Sequence, residues 1–329
     1  MAHFPPPNSS KGRPLVVAHR GGAGLKPENT LAAIETALEM EVDAIEVDVH
    51  LSADGVVVVH HNESLNPSIA RGADGCWLLS PTPLIKNLTL SQLQRYDIGR
   101  LKPDSDYGAK FPHQESVGRV HIPTLDDVIE TIYRLGRPST QLFLELKTCL
   151  FDPARGADPK RLAAKAVERI THHNMIARTR LLSFNWIALL EARRLLPEIP
   201  NFFLTVPFAL IDSARYNAPD GPYERMGLAR TRPAPWAAGF NWQDSKETGI
   251  GARMAHTVAR ARDQGQADGW ALWRGDLSPE IAAYACALGI NLACWTVNET
   301  NDMTSAITHG VTAIITDRPD RLLDLLNSP

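Results

Sequence analysis

Three acidic side chains stand in two otherwise apolar runs of the chain. Glu46 and Asp48 occur within AIEVDVHL, and Glu145 occurs within QLFLELK. Residues i and i+2 of a strand point to the same face, so Glu46 and Asp48 are expected to project side by side. Carboxylates buried together repel one another unless a cation or protons lie between them. Because hard divalent cations prefer oxygen ligands, the pattern predicts a Mg²⁺ or Ca²⁺ site.

Two neighbours of these carboxylates leave alternatives open. His50 shares a strand face with Glu46 and Asp48, which would also allow a mixed acidic and histidine site for Mn²⁺ or Zn²⁺. Lys147 shares a face with Glu145, and that strand alone suggests a buried ion pair. Acidic residues are rarely buried without partners, so three of them in two strands favour the metal site.

Two histidine positions at strand ends are candidates for proton transfer. His19 follows the apolar run LVVA and precedes Arg20, and the pair His60-His61 follows four consecutive valines. Imidazole titrates near neutral pH, so histidines delivered by two strands have the composition of an acid–base couple. The planar guanidinium of Arg20 suits an anion, since it can donate to two oxygens at once. We therefore expect a proton-transfer site beside an anion-binding group.

The elements that must position these residues alternate along the chain. Short apolar runs are separated by amphipathic stretches, such as the one in which Leu31, Ile34, Ala37 and Leu38 share a helical face. Eight strands with intervening helices predict a (β/α)8 TIM barrel. An open doubly wound sheet is less well supported, because no GxGxxG follows the first strand. The predicted strands are LVVAH (15–19), AIEVDVHL (44–51), QLFLELK (141–147), TRLLSF (179–184), NFFLTV (201–206), GWALW (269–273), NLACWTV (291–297) and TAIIT (312–316).

Two irregular stretches interrupt this alternation, residues 62–122 and 207–250. Long connections of this kind usually have a functional reason, such as a lid or a binding loop. Neither stretch shows the pattern of a core of its own, so we predict a single barrel domain over residues 14–327. A flexible segment, residues 1–13, precedes it.

Composition excludes several classes of protein. The 329 residues are 44% hydrophobic and 22% charged, with a formal net charge of −3, which argues against a protein built to hold nucleic acid. The sequence contains no apolar run of about 18 residues, so stable insertion into a membrane is not expected. The first residues lack the apolar segment of a secretory signal, so the chain as given is expected in the cytoplasm, or in the periplasm or outside the cell if a signal was removed. The four cysteines lack metal-site spacing and predict free thiols.

An ordered set of motifs resembles a known family over nearly the whole chain, from about residue 15 to residue 325. HRGGAGLKPENT, EVDAIEVDVHLSADGVVVVHHNESL, IPTLDDV, LFLELK, CWTVN and IITDRPD occur in the order seen in glycerophosphodiester phosphodiesterases. The resemblance implies a (β/α)8 barrel with a small insertion after the second strand, where residues 62–122 fall. It also implies metal-dependent hydrolysis of a small glycerophosphodiester to glycerol 3-phosphate and an alcohol, within glycerol and lipid metabolism.

The resemblance also implies roles for individual residues. His61 matches the family's second histidine because Leu65 sets the register, and Asn62 then replaces the aspartate that normally follows it. His60 is its immediate neighbour. The implied assignments are His19 and His61 as catalytic residues, Glu46, Asp48 and Glu145 as metal ligands, and Arg20, Lys147 and Trp295 as substrate-binding residues.

Two other functions remain open from the sequence. A phospholipase-D-like enzyme could use the same cluster on lysophospholipids or other lipid phosphodiesters, with an apolar rim supplied by Trp77, Leu78 and Leu79 or by Pro235-Trp236. A barrel could also bind phosphate compounds without turning them over, although a pure binder has no need of paired histidines. The sequence does not choose between water and a glycerol hydroxyl as nucleophile, nor between the histidines as base and acid.

Overall fold

Eight short parallel strands pair edge to edge and close into a barrel. The computed structural model describes residues 12–150, 152–209 and 237–328. The strands are β1 (Leu15–Ala18), β2 (Ala44–Leu51), β3 (Val57–Val59), β4 (Gln141–Leu146), β5 (Thr179–Ser183), β6 (Asn201–Leu204), β7 (Gly269–Trp273), β8 (Asn291–Trp295) and β9 (Ala313–Thr316). Strand β1 pairs with β2 and with β9, and β4 to β9 follow β2 in chain order, whereas β3 is an antiparallel addition to β2. The predicted TIM barrel and all eight of its strands are confirmed.

Helices follow the barrel strands and pack their apolar faces on the outside of the barrel. Thr30 caps the first of them, because its hydroxyl accepts from the backbone N–H of Ala33 at 3.2 Å. On the same helix Ile34, Ala37 and Leu38 are buried, as their spacing predicts. The helices are α1 (Leu31–Glu39), α2 (Leu90–Leu93), α3 (Leu125–Leu135), α4 (Pro159–His172), α5 (Trp186–Leu195), α6 (Ile250–Asp263), α7 (Pro279–Ala287), α8 (Thr300–Thr308) and α9 (Pro319–Asn327).

The barrel strands bury both of their faces. Leu15 and Val17 of β1 belong to a cluster with Phe143, Phe202 and other residues of the strands, which fills the barrel interior. The intervening residues of the strands join the helices in a second and larger core. Burial on both faces explains why the runs are almost continuously apolar. The few polar residues in them are therefore conspicuous.

The insertion between β3 and α3 forms a small core of its own. Leu65, Ile85, Leu93 and Ile98 are buried there together, and Val58 of β3 joins them. The expectation that residues 62–122 lack a core is therefore wrong. Its apolar residues are spaced irregularly because they come from loops and one short helix, α2, so no periodic pattern announced them.

Some predicted features lie outside the described residues. Most of the segment 1–13 and the pair Pro235-Trp236 belong to this group. The chain is described from residue 12, and Arg13 pairs with Asp43 at 2.8 Å. No helix in the described part of the chain is long and apolar enough to cross a membrane. All four cysteines are free thiols, as their spacing predicts.

Candidate active site

A strained turn presents His19 and Arg20 at the end of β1. The backbone there forms a 3₁₀ turn (His19–Gly21), in which Arg20 adopts a left-handed conformation with φ of +52°. Gly21 also has a positive φ, and a Cβ on it would lie 2.9 Å from the backbone nitrogen of Ile34. The N–H of Arg20 donates to the Glu46 carboxylate at 2.9 Å. The strain is thus offset by a bond to one of the three acidic residues, as is typical of functional sites.

The three acidic residues converge at the same end of the barrel. Glu46 and Asp48 lie on one face of β2, and the register of β2 and β4 places Asp48 opposite Glu145. Each residue offers one carboxylate oxygen, and these oxygens lie within 4.8 Å of one another. Glu46 and Asp48 are buried. The arrangement is the one that the sequence predicts for a divalent cation.

Three crowded carboxylates dominate the electrostatics of this cluster. Burial and the charges of Asp48 and Glu145 raise the pKa of Glu46 to about 8. Burial also raises the pKa of Glu145. Oδ1 of Asp48 is buried and accepts no hydrogen bond from the described residues. Three carboxylates offer the oxygen donors that a hard divalent cation prefers, and such a cation would relieve their mutual repulsion.

Two basic side chains border the cluster. Nζ of Lys147 lies 2.8 Å from Oε1 of Glu145 and 3.4 Å from Oδ1 of Asp48. Nε of Arg20 lies 3.3 Å from Oδ2 of Asp48, and its Nη1 donates to Glu28 at 3.0 Å. Burial works to raise the pKa of Asp48, but Lys147 and Arg20 outweigh it and hold that pKa well below its usual range. The ion pair expected for the β4 strand therefore forms, and it lies within the carboxylate cluster.

His19 is oriented by a carboxylate. Its Nδ1 lies 2.6 Å from Oδ1 of Asp317, and its Nε2 lies 4.0 Å from Oε2 of Glu46. Asp317 is fixed in turn by Asn298, whose amide donates to Oδ2 at 2.7 Å. Burial lowers the pKa of His19, yet the adjacent Asp317 charge and hydrogen bond more than compensate, and the pKa is raised. This imidazole is therefore built to carry a proton.

His61 is oriented by neutral groups. Its Nδ1 lies 2.6 Å from the amide oxygen of Asn62, and its carbonyl oxygen accepts from Nε2 of His50 at 3.1 Å. Because an amide oxygen only accepts, Nδ1 of His61 carries the hydrogen and Nε2 keeps its lone pair. Burial and the charges of Lys147 and Arg20 hold the pKa of His61 well below its ordinary value. His50 thus supports the backbone of His61 and does not join the carboxylate cluster.

Two adjoining cavities contain these groups. The smaller, of about 80 Å³, is bordered by both histidines, Arg20, Lys147 and Trp295, with Glu46 and Glu145 in its wall. The larger, of about 380 Å³, shares four residues with the smaller one: His61, Glu145, Lys147 and Phe184. The ring of Trp295 stands edge-on to Phe184, with 5.5 Å between the ring centroids. His60 is 1% exposed and borders neither cavity.

Comparison with known proteins decides the family. The sequence profile of the glycerophosphoryl diester phosphodiesterase family matches residues 19–321. The chain belongs to this family. A glycerophosphodiester phosphodiesterase from Caldanaerobacter subterraneus subsp. tengcongensis is 26% identical over 313 residues, which are 95% of this chain and 97% of that protein.

Solved structures of family members share the architecture. A glycerophosphoryl diester phosphodiesterase homologue from Silicibacter pomeroyi superposes with a TM-score of 0.77 at 29% identity, over 97% of each chain. An Oleispira antarctica phosphodiesterase, solved with its product sn-glycerol-3-phosphate, gives a TM-score of 0.65 at 24% identity. It covers 96% of this chain and 98% of its own. The predicted enzyme class, a glycerophosphodiester phosphodiesterase, is confirmed by family membership.

Several residues of this phosphodiesterase site were not singled out from the sequence. Asn29 has a φ of +56° and binds Asp48 twice, through Nδ2 at 2.9 Å and through Oδ1, which accepts the Asp48 N–H at 3.2 Å. Glu28 accepts a hydrogen bond from Nη1 of Arg20 at 3.0 Å. Asp317 follows the last strand directly, and catalytic residues of TIM barrels lie at the carboxyl ends of strands, so its position was a usable signal. The contacts of Asn29 and Glu28 gave no such signal.

Proposed function

We propose that this chain hydrolyses glycerophosphodiesters to glycerol 3-phosphate and an alcohol, by acid–base catalysis beside a bound divalent cation. One observation carries the proposal: two histidines, two basic side chains and two of the three clustered carboxylates, Glu46 and Glu145, border a single cavity. A protein that only binds phosphate compounds needs basic groups, but it has no use for two histidines with opposite hydrogen-bonding environments. The geometry therefore favours turnover over binding alone.

Arg20 and Lys147 supply the charge that a phosphodiester anion needs. The side chains of Arg20 and Lys147 are 14% and 15% exposed and line the smaller cavity. Solvent therefore screens their charge only weakly. Arg20 presents a planar, permanently charged guanidinium to the phosphoryl oxygens, whereas Lys147 acts as a point charge. Trp295 and Phe184 form an apolar wall suited to the carbon skeleton of the glycerol.

Glu46, Asp48 and Glu145 are proposed to hold a divalent cation, Mg²⁺ or Ca²⁺. When bound, such a cation neutralises charge on a phosphoryl oxygen and so lowers the barrier to attack on phosphorus. Two of the three residues already have fixed partners, since Glu46 accepts from the Arg20 N–H and Asp48 from Asn29. The carboxylates are therefore oriented before any ligand arrives.

The partners of the two rings suggest which histidine is the base. His61 is held by the neutral Asn62 and keeps an unprotonated nitrogen, so it is suited to take the proton of the nucleophile, either water or a glycerol hydroxyl. His19 is held by the Asp317 carboxylate, which stabilises the imidazolium. We assign to it the transfer of a proton to the leaving alkoxide oxygen as the phosphorus–oxygen bond breaks.

The larger cavity is the proposed place of the leaving alcohol, because it opens from the cavity of the histidines. Leu150, Phe184, Val206 and Pro207 give it an apolar wall, which keeps lysophospholipids as a second candidate substrate. The apolar rim expected for such a lipid is reduced in the described residues. Trp77 lies beneath the guanidinium of Arg71 and Leu78 packs on the insertion core, which leaves Leu79 exposed.

A substrate series tests the proposal. Purified protein in Mg²⁺ or Ca²⁺ is offered glycerophosphocholine, glycerophosphoethanolamine and a lysophospholipid, and release of glycerol 3-phosphate or of the free head group is followed. We expect turnover of at least one of the two glycerophosphodiesters, with glycerol 3-phosphate as product. Turnover of the lysophospholipid alone would instead favour the lipid-cleaving alternative, and turnover of none would contradict the proposal.

A further inference from the structure

A tyrosine of the insertion reaches the arginine of the site. Tyr107 precedes the short 3₁₀ turn Gly108–Lys110 and lies 87 residues after Arg20 in the chain. Its hydroxyl accepts from Nη1 of Arg20 at 3.2 Å and donates to the carboxylate of Glu28. Glu28 also accepts from Nη1 of Arg20 at 3.0 Å and is 6% exposed. Tyrosine, glutamate and arginine thus form a closed triangle of hydrogen bonds.

This triangle fixes one edge of the Arg20 guanidinium. Nη1 is committed to Glu28 and Tyr107, and Nε lies 3.3 Å from Oδ2 of Asp48. The side chain nevertheless borders the smaller cavity. Arginine has several rotatable bonds, so a guanidinium held from one side loses less conformational entropy when a ligand arrives on the other.

Further contacts hold the same part of the insertion over the turn that carries Arg20. The N–H of Glu115 donates to the carbonyl of Leu25 at 2.8 Å, and Nε2 of Gln114 donates to the carbonyl of Ala23 at 2.7 Å. Lys26 and Glu115 form an ion pair at 2.5 Å. Residues 107–115, which we name the insertion strap, therefore cover the loop from residue 20 to residue 28.

We propose that Tyr107 is a positioning residue of the reaction, whose hydroxyl orients Arg20 for the phosphodiester through Glu28 and Nη1. The insertion strap thereby sets the affinity of the site for the phosphate group. The inference rests on the proposed function in one respect, that Arg20 binds phosphate. It assigns to the insertion a part in substrate binding.

The test removes only the hydroxyl, in Tyr107→Phe. Loss of a hydrogen bond to a charged group corresponds to about a 10-fold change in affinity. We expect the KM for a glycerophosphodiester to rise by about that factor while kcat changes less than about threefold, since binding common to substrate and transition state is lost. The dissociation constant for inorganic phosphate, measured by calorimetry, is expected to rise in parallel.

A control variant separates positioning from folding. Tyr96→Phe makes the same change in the same insertion, at a hydroxyl with no hydrogen bond to the described residues. It is expected to keep KM within about twofold of wild type. In an Arg20→Ala background, Tyr107→Phe is expected to have no further effect on phosphate affinity.

Hydrogen exchange makes the outcome independent of turnover. Amides of residues 20–29 are expected to exchange faster in Tyr107→Phe than in wild type or Tyr96→Phe. If the wild-type chain turns over no glycerophosphodiester, the proposed function fails while phosphate affinity and exchange still test the positioning role. Unchanged phosphate affinity and amide exchange in Tyr107→Phe would overturn the inference. So would a Tyr107→Phe substitution that weakened phosphate binding as much in the Arg20→Ala background as in wild type.

Discussion

At the scale of single residues, the two histidines differ in the group that holds each ring. His19 is paired with the carboxylate of Asp317, whereas His61 is paired with the amide of Asn62. Environments that move the pKa values of two titratable groups in opposite directions are characteristic of acid–base pairs. The difference depends on Asn62, at a position where the family resemblance implies an aspartate.

Each histidine is expected to contribute a large factor to turnover. His19→Ala and His61→Ala should each lower kcat for glycerophosphodiester hydrolysis by roughly 10²–10⁴-fold, because a positioned acid or base is lost. His60→Ala is the matched control, since His60 is buried beside His61 and borders neither cavity. Near-normal turnover in His19→Ala or His61→Ala would remove that residue from the mechanism.

Asn62→Asp is expected to move the pH dependence in a known direction. A carboxylate beside His61 favours the protonated imidazole and raises its pKa. If His61 is the base, the acidic limb of the kcat/KM profile shifts to higher pH, by about one unit or more. Steady-state rates between pH 5 and 9 measure the shift, and an unmoved acidic limb would contradict the assignment of His61 as base.

Residue types and spacing predicted much of the site, but the supporting contacts escaped prediction. His19, Glu46, Asp48 and Glu145 stood out because polar groups in buried strands require an explanation. The bonds from Asn29 to Asp48 and from Tyr107 to Glu28 span 19 and 79 residues. Such pairings depend on how loops close over the barrel, and no local pattern encodes them.

At the scale of elements, one buried carboxylate holds the insertion together. Oδ1 of Asp97 accepts the N–H groups of Gly99 at 2.9 Å and Val120 at 3.2 Å, and Arg71 donates to its Oδ2. Burial works to raise the pKa of Asp97, but these hydrogen bonds and the Arg71 charge outweigh it, so the pKa is lowered. Asp97 therefore links the start and the end of the insertion.

Asp97→Asn is expected to destabilise the protein near neutral pH. Hydrogen bonds to a charged group contribute about 1.5–3 kcal/mol, and the amide retains only part of this. Because the folded-state pKa is below the unfolded value, this stabilisation is present above about pH 4 and is lost as pH falls through the folded-state pKa. Urea denaturation at pH 7 measures the loss of stability, and the same experiment near pH 3.5 measures how far the difference from wild type shrinks in acid.

Asp104→Asn provides the comparison for this prediction, as an exposed carboxylate in the same insertion. Its free energy of unfolding should match wild type at both pH values. A deficit of Asp97→Asn that stayed constant down to pH 3.5 would show that the carboxylate charge is not the cause.

The barrel strands could be predicted because both of their faces are buried, and continuous apolar runs such as those of β1 and β4 are typical of such strands. The core of the insertion could not be predicted in this way. Its core residues, including Leu65, Ile85 and Ile98, come from irregular segments and a short 3₁₀ helix, so their burial follows from chain closure and not from a period.

At the scale of the whole molecule, cation binding is linked to stability. A ligand that binds only the folded state at 100 times its dissociation constant adds about 2.7 kcal/mol to the free energy of unfolding. We expect Mg²⁺ or Ca²⁺ to raise the Tm of the wild-type protein, and Glu145→Gln to reduce that rise by removing a proposed ligand.

Glu63→Gln is the matched control for the Tm measurement. Glu63 borders the larger cavity and pairs with Arg155 at 2.9 Å, outside the carboxylate cluster. Its cation-dependent rise in Tm should equal that of wild type. Equal rises in all three proteins would place the cation elsewhere.

We propose above that this barrel hydrolyses glycerophosphodiesters with a divalent cation at Glu46, Asp48 and Glu145. The most direct measurement is release of glycerol 3-phosphate by chelator-treated protein, before and after Mg²⁺ or Ca²⁺ is restored. No measurable release is expected without the cation, and activity should recover when the cation is returned. Full turnover by the cation-free protein would contradict the proposed role of the cation.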